Sequence, residues 1–177
     1  MEPFVRVVDR MSRAFGLIAG IMMLIGVALV IAEIVVRALF NSTLYITEEY
    51  TAYLMVAITF LGLAYTLKEK GHIRMVFLHK FVKGKARILL DLYAFVVGAA
   101  VFAVITATTW AFFWDSVVSG TQSMQLSKTY LAIPQSAMPL GSLLVTLQFA
   151  AEIVRSVTRL RSGQIEEEEA ESQALGR

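Results

Sequence analysis

The residues of this chain whose type and spacing could carry chemistry are a few carboxylates, their basic neighbours and two histidines. Glu48 and Glu49 stand side by side, Glu33 precedes Arg37 by one helical turn, Asp91 follows Arg87, Glu152 precedes Arg155, and His72 and His79 lie seven apart. Adjacent carboxylates suggest a metal or an acid–base pair, but on a helix they point about 100° apart and do not converge on one ion. Placed in a first turn, they meet the positive end of the helix dipole, an effect of about 0.3–1 kcal/mol each that needs no catalytic role. Two imidazoles could hold a haem only from inside a bundle, and both histidines fall in a basic, half-apolar stretch away from membrane depth. The chain has no cysteine, which excludes disulfides, thiol catalysis and cysteine metal sites.

These side chains belong to long apolar blocks. With 57% hydrophobic residues and a mean hydropathy of +0.66, the 177-residue chain is an all-α integral membrane protein. The pattern predicts four transmembrane helices, over about 14–37, 48–67, 88–114 and 134–161, in a single membrane domain 1–161, followed by an acidic, solvated tail 162–177. The first block resembles the start of a signal peptide but is too long and lacks a small-residue cleavage site, so it is a retained helix.

Local signals mark the ends of these helices. Thr47 is placed to cap helix 2, with Glu48 and Glu49 in its first turn. Trp110, Phe112, Phe113 and Trp114 form an aromatic belt at one end of helix 3. Helix 4 starts near Pro134, and Pro139 is placed to bend it. Gly16 and Gly20 make a small-xxx-small pair for close helix contact. Two amphipathic helices lying on the membrane are expected, one before residue 14, where Phe4, Val7, Val8 and Met11 oppose Arg6, Arg10 and Arg13, and one between helices 2 and 3 around Ile73, Val76, Phe77 and Phe81.

Charge fixes an expected orientation. Three Arg before helix 1, seven Lys or Arg between helices 2 and 3, and Arg155, Arg159 and Arg161 at the exit of helix 4 lie on one side, against Arg37 and Lys128 on the other. By the positive-inside rule both termini are cytoplasmic. The basic residues are sorted by membrane side and form no nucleic-acid patch; their partner is membrane lipid.

Ionisable groups at mid-depth are the usual mark of a transport pathway. Glu33, Asp91 and Glu152 all lie near helix ends, each with an arginine within about a turn. The midplane carries only the hydroxyls of Thr59, Thr106, Thr108, Thr109, Ser142 and Thr146, which can bond back to their own helices. Such a chain reads as a scaffold that needs another membrane subunit. The alternative is a self-sufficient, dimeric, proton-coupled exporter built on Glu33, which lies too near the helix end for that role.

Several marks occur in an informative order: Arg37 ending helix 1, Glu48-Glu49 opening helix 2, Leu61-Gly62 within it, Gly71-His72-Ile73-Arg74, Leu131-Ala132-Ile133-Pro134, and Pro139-Leu140-Gly141. In this order the chain resembles, over about residues 5–160, the DctQ-like small permease subunit of tripartite ATP-independent periplasmic (TRAP) transporters. It departs from that pattern at Tyr45-Ile46-Thr47, where the family often has a tryptophan, and at Met75-Val76-Phe77, where it often has an aspartate. The resemblance implies no enzyme and no cofactor in this chain. It implies a bacterial inner-membrane subunit that scaffolds a large permease (M) subunit, which carries the substrate and sodium sites and moves by an elevator motion. A periplasmic binding protein delivers an organic acid. On this reading Glu48 and Glu49 serve binding-protein docking, and Arg37, His72, Arg74, Gly16, Gly20, Trp110 and Trp114 serve subunit contact or interfacial anchoring.

Overall fold

The structure, a computed structural model, describes residues 2–69 and 85–162. The expected amphipathic helix around Ile73 to Phe81, with His72, Arg74 and His79, and the acidic tail lie outside these residues. The described chain forms α1 (Glu2–Phe40), α2 (Ile46–Lys68), α3 (Lys85–Ser119), the single turn α4 (Ala132–Gln135) and α5 (Ala137–Ser162). Four stretches are long and apolar enough to cross a membrane, α4 and α5 together making the fourth. Between α3 and α4 the loop folds back on itself: Ser123 N–H donates to the Thr129 carbonyl at 2.8 Å and Leu131 N–H to the Thr121 carbonyl at 3.1 Å, around an antiparallel bridge between Gln122 and Tyr130.

The spans are arranged by polarity. α2 and α5 pack on each other at the centre, α1 flanks α2, and α3 flanks α5. The flanking helices are the most apolar and bury the least within the chain, while the central pair is less apolar and buries the most. Lipid tails are as apolar as leucine, so apolarity alone does not drive helices together. Small residues that permit close approach and polar pairs between helices hold the centre. Two buried clusters result: Ala64 and Leu67 of α2 against Leu144 and Val145 of α5, and Ala19 of α1 against Ala57 and Leu61 of α2. Closest approach is at Gly141, where an added Cβ would lie less than 3 Å from the backbone carbonyl of Phe60.

Four expectations are corrected. The N-terminal segment is not a separate helix: α1 is continuous from Glu2. Its Val8 and Ser12 are buried, because Asp9 and Ser12 bond to α5 and hold the segment against the protein. Thr47 does not cap α2, which starts two residues earlier than expected, at Ile46, with Tyr45 at its N-cap and no side-chain cap. The fourth span starts at Ala132 and breaks at Ser136, ahead of Pro139, where Ser136 N–H reaches back to the Ala132 carbonyl at 3.1 Å. α3 also runs further than expected, past Trp114 to Ser119, before Gly120 turns the chain with φ +64°. That left-handed backbone suits a residue without Cβ.

Candidate functional site: the polar pins at the two ends of the bundle

At the end carrying the 41–45 connection and the 120–131 loop, the two buried or half-buried glutamates each secure one connection. Glu33, in the penultimate turns of α1, accepts hydrogen bonds from the Arg37 guanidinium at 2.8 Å, the Leu44 N–H at 2.9 Å and the Thr47 hydroxyl at 3.2 Å. A carboxylate has lone pairs for all three. The hydroxyl expected to cap α2 is thus used to hold α2 to α1. Asn41, which ends α1 at φ 49°, turns the chain back towards this carboxylate. Asparagine is among the few non-glycine residues that adopt this conformation readily.

Glu48 and Glu49 separate as adjacent helical residues must. Glu48 is exposed and Glu49 is buried. Glu49 accepts a hydrogen bond from the Tyr53 hydroxyl at 2.7 Å, one turn on, and another from the Ser127 hydroxyl at the tip of the 121–131 loop. Ser127 and Thr129 share a further contact at 2.8 Å, and Tyr50 reaches Thr129 at 3.4 Å. The loop is therefore held across the start of α2. Held in this way, it keeps Met124 and Leu126 fully in the open, 106% and 82% exposed. Among the described residues no group of three or more His, Asp or Glu could hold a metal.

At the opposite end, a second set of groups joins α1 to α5. Arg155 donates to both Asp9 and Glu152, the Gln148 amide donates to Asp9 at 3.1 Å, and the Ser12 hydroxyl donates to the Gln148 carbonyl oxygen at 2.8 Å. Gln148 and Ser12 are fully buried. Gln148, Glu152 and Arg155 are spaced to share one face of α5, a pattern present in the sequence. Their partner Asp9, a single acid among Arg6, Arg10 and Arg13, could not be paired with them from spacing alone. Nearby, the Lys68 ammonium sits 2.6 Å from Glu69 and, with Arg13 adding its charge, holds that carboxyl below its ordinary range.

The midplane hydroxyls bond back to their own helices as expected, Thr59 to Met55, Thr106 to Phe102 and Thr109 to Ile105 among them. Two also cross between helices, Thr106 with Thr146 and Thr109 with Ser142, each at 3.2 Å. Gly16 and Gly20 do different work: the Tyr65 ring covers Gly16, while nothing lies within 4 Å of where a Cβ of Gly20 would be. Trp110 and Trp114 face outward from α3, about half exposed, and Arg37 extends outward beyond Glu33.

Four apolar spans joined by close small-residue contacts, with their polar side chains used to secure connections, define a multi-pass helical membrane protein. Asp9 ties α1 to α5 and Glu49 ties α2 to the loop, and Glu33 is taken up by the turn beside it. A family model for the DctQ component of tripartite ATP-independent periplasmic transporters matches residues 26–159. The chain belongs to that family, whose members are components of a transporter. A search of curated proteins gave no match.

Proposed function

We propose that the chain is the small, non-transporting membrane subunit of a TRAP transporter in the bacterial inner membrane, with both termini cytoplasmic. It scaffolds a large permease subunit that carries the substrate and sodium sites and moves as an elevator, taking up an organic acid handed over by a periplasmic binding protein. One observation supports the scaffold role above the rest. No residue in the most apolar 18-residue stretch of α3 is buried within the chain, so this helix offers a full face to whatever surrounds it. The loop end, facing the periplasm on this reading, holds Glu48 and the tip residues Met124 and Leu126 out for docking. Glu49 serves docking indirectly, by fixing the loop.

The test is to express the tagged chain in its own bacterial membrane, extract it in mild detergent and weigh the assembly. The expected result is a stoichiometric complex with one large polytopic membrane protein, to which a periplasmic binding protein adds. A chain that purifies only with itself, as a dimer active in proton-coupled efflux and silenced by Glu33→Gln, would overturn the proposal.

A further inference from the structure

The four spans stand in a row, α1, α2, α5, α3, each packed chiefly on its neighbours in that order. Contacts across the row show which residues share a level. Ala19 of α1 faces Gly62 of α2, Gly141 of α5 lies against Phe60 of α2, and the next residue, Ser142, meets Thr109 of α3. Ala19 and Thr109 are therefore level at the two edges of the row.

The apolar blocks are not level. From Ala19 that of α1 runs about 9 Å to Arg13 at the basic end, but about 32 Å to Phe40 at the loop end. From Thr109 that of α3 runs about 32 Å to Ile88 at the basic end and only about 8 Å to Trp114 at the loop end. One edge is displaced against the other by about 24 Å. The middle spans fall on the same slope. Measured from the shared level, α2 (Ile46–Lys68) reaches about 22 Å towards the loop end and 10 Å towards the basic end, and the fourth span (Ala132–Thr158) about 15 Å and 24 Å.

An upright row would lift Leu39 and Phe40, or drop Leu89 and Tyr93 at the diagonal corner, out of the apolar layer, and all four are exposed. A tilted row places both corners inside it. Three spacings between helix axes make the row about 27 Å wide, and a displacement of 24 Å over that width is a slope of about 40°. Length gives the same angle independently. Crossing about 30 Å of hydrocarbon at 40° takes about 39 Å of helix, and residues 14–40, 88–114 and the fourth span are each about 40 Å long. The charges near the α1 corner, Glu33 and Arg37, are bonded to each other at 2.8 Å, so that corner brings no net charge with it. Asp91 lies within one turn of the basic end of the α3 block.

We infer that the row sits obliquely in the bilayer, its helices about 40° from the normal, with the Leu39–Phe40 corner and the Leu89–Tyr93 corner both at hydrocarbon depth.

The inference requires only that the four spans cross a membrane. Its test uses the full chain, with the subunits it retains, at one complex per phosphatidylcholine vesicle. Single cysteines replace Phe40, Trp114, Arg13 or Leu89, all exposed, and carry a donor dye without disturbing the packing. Vesicles are sorted by whether a tag on the C-terminus, which follows the basic end of α5, is outside. Energy transfer to acceptor headgroups in the outer leaflet then reads each dye's distance from that surface, whatever neighbours touch it. With the tag outside, Arg13 and Leu89 should read the same depth within about one helical turn, 5 Å. With the tag inside, Phe40 and Trp114 should do so. An upright row separates the members of each pair by more than about 20 Å. A difference above about 10 Å, half of that, in either pair would overturn the inference, and a smaller one in both supports it.

Discussion

Glu49 shows what a buried carboxylate can do without a ligand. Its two hydrogen bonds reach a tyrosine on its own helix and a serine 78 residues away, so a single side chain joins the start of α2 to the distant loop. Bonds to a charged acceptor contribute about 1.5–3 kcal/mol each in general. Glu49→Ala should therefore release the 121–131 loop while the spans stay intact. Amide hydrogen exchange should quicken about tenfold or more at Ser123 and Leu131 and stay unchanged along α5; equal protection in the variant would mean that the loop holds itself. The sequence makes it legible that one of the adjacent glutamates must turn inward, from the 100° step between them. Which one does so depends on Ser127 and Tyr53, and no local pattern reveals that Ser127 folds back over α2. For the same reason Thr47, well spaced for a cap, is instead taken by Glu33, a partner on another helix.

At the scale of elements, the apolar blocks located every span, and their ends moved for reasons of packing. The periodicity that suggested an amphipathic helix before residue 14 is real: Phe4, Val7 and Met11 are exposed on one side and Arg6, Arg10 and Arg13 on another. A third face, Val8 and Ser12, is buried against the protein, and that contact extends α1 as one continuous helix. The glycines divide in the same manner. Gly141→Ala would place a Cβ within 3 Å of the Phe60 carbonyl, forcing α2 and α5 apart at a cost of about 1–3 kcal/mol. Gly20→Ala meets nothing and should stay within about 0.5 kcal/mol of the parent. Thermal unfolding of the two variants in one detergent measures both. A similar loss in the two would show that the close contact at Gly141 carries no special weight. Sequence spacing had paired Gly20 with Gly16, but it could not show that the two positions look onto different surroundings.

For the molecule as a whole, the alternating sides of its basic residues predict where each end lies. The absence of native cysteine makes this directly measurable. A cysteine at Met124 should react with a membrane-impermeant maleimide added outside intact cells, whereas one at Glu167 should react only after the membrane is opened; the reverse pattern would invert the orientation. The order of the spans along the chain has its own consequence. A strongly apolar helix, α1, is followed by the weaker α2, and a strongly apolar α3 by the weaker α5. Insertion machinery releases segments sideways into lipid according to their apolarity. By that rule α2 and α5 are poor candidates to leave the machinery unaided. The polar side chains that make them a good centre make them poor solitary spans. A glycosylation reporter should find α2 integrated far less completely alone than behind α1, and equal integration would remove the dependence. The subunit would then be made as two successive hairpins, each led into the bilayer by its greasier arm, with the weaker arms meeting afterwards to form the middle.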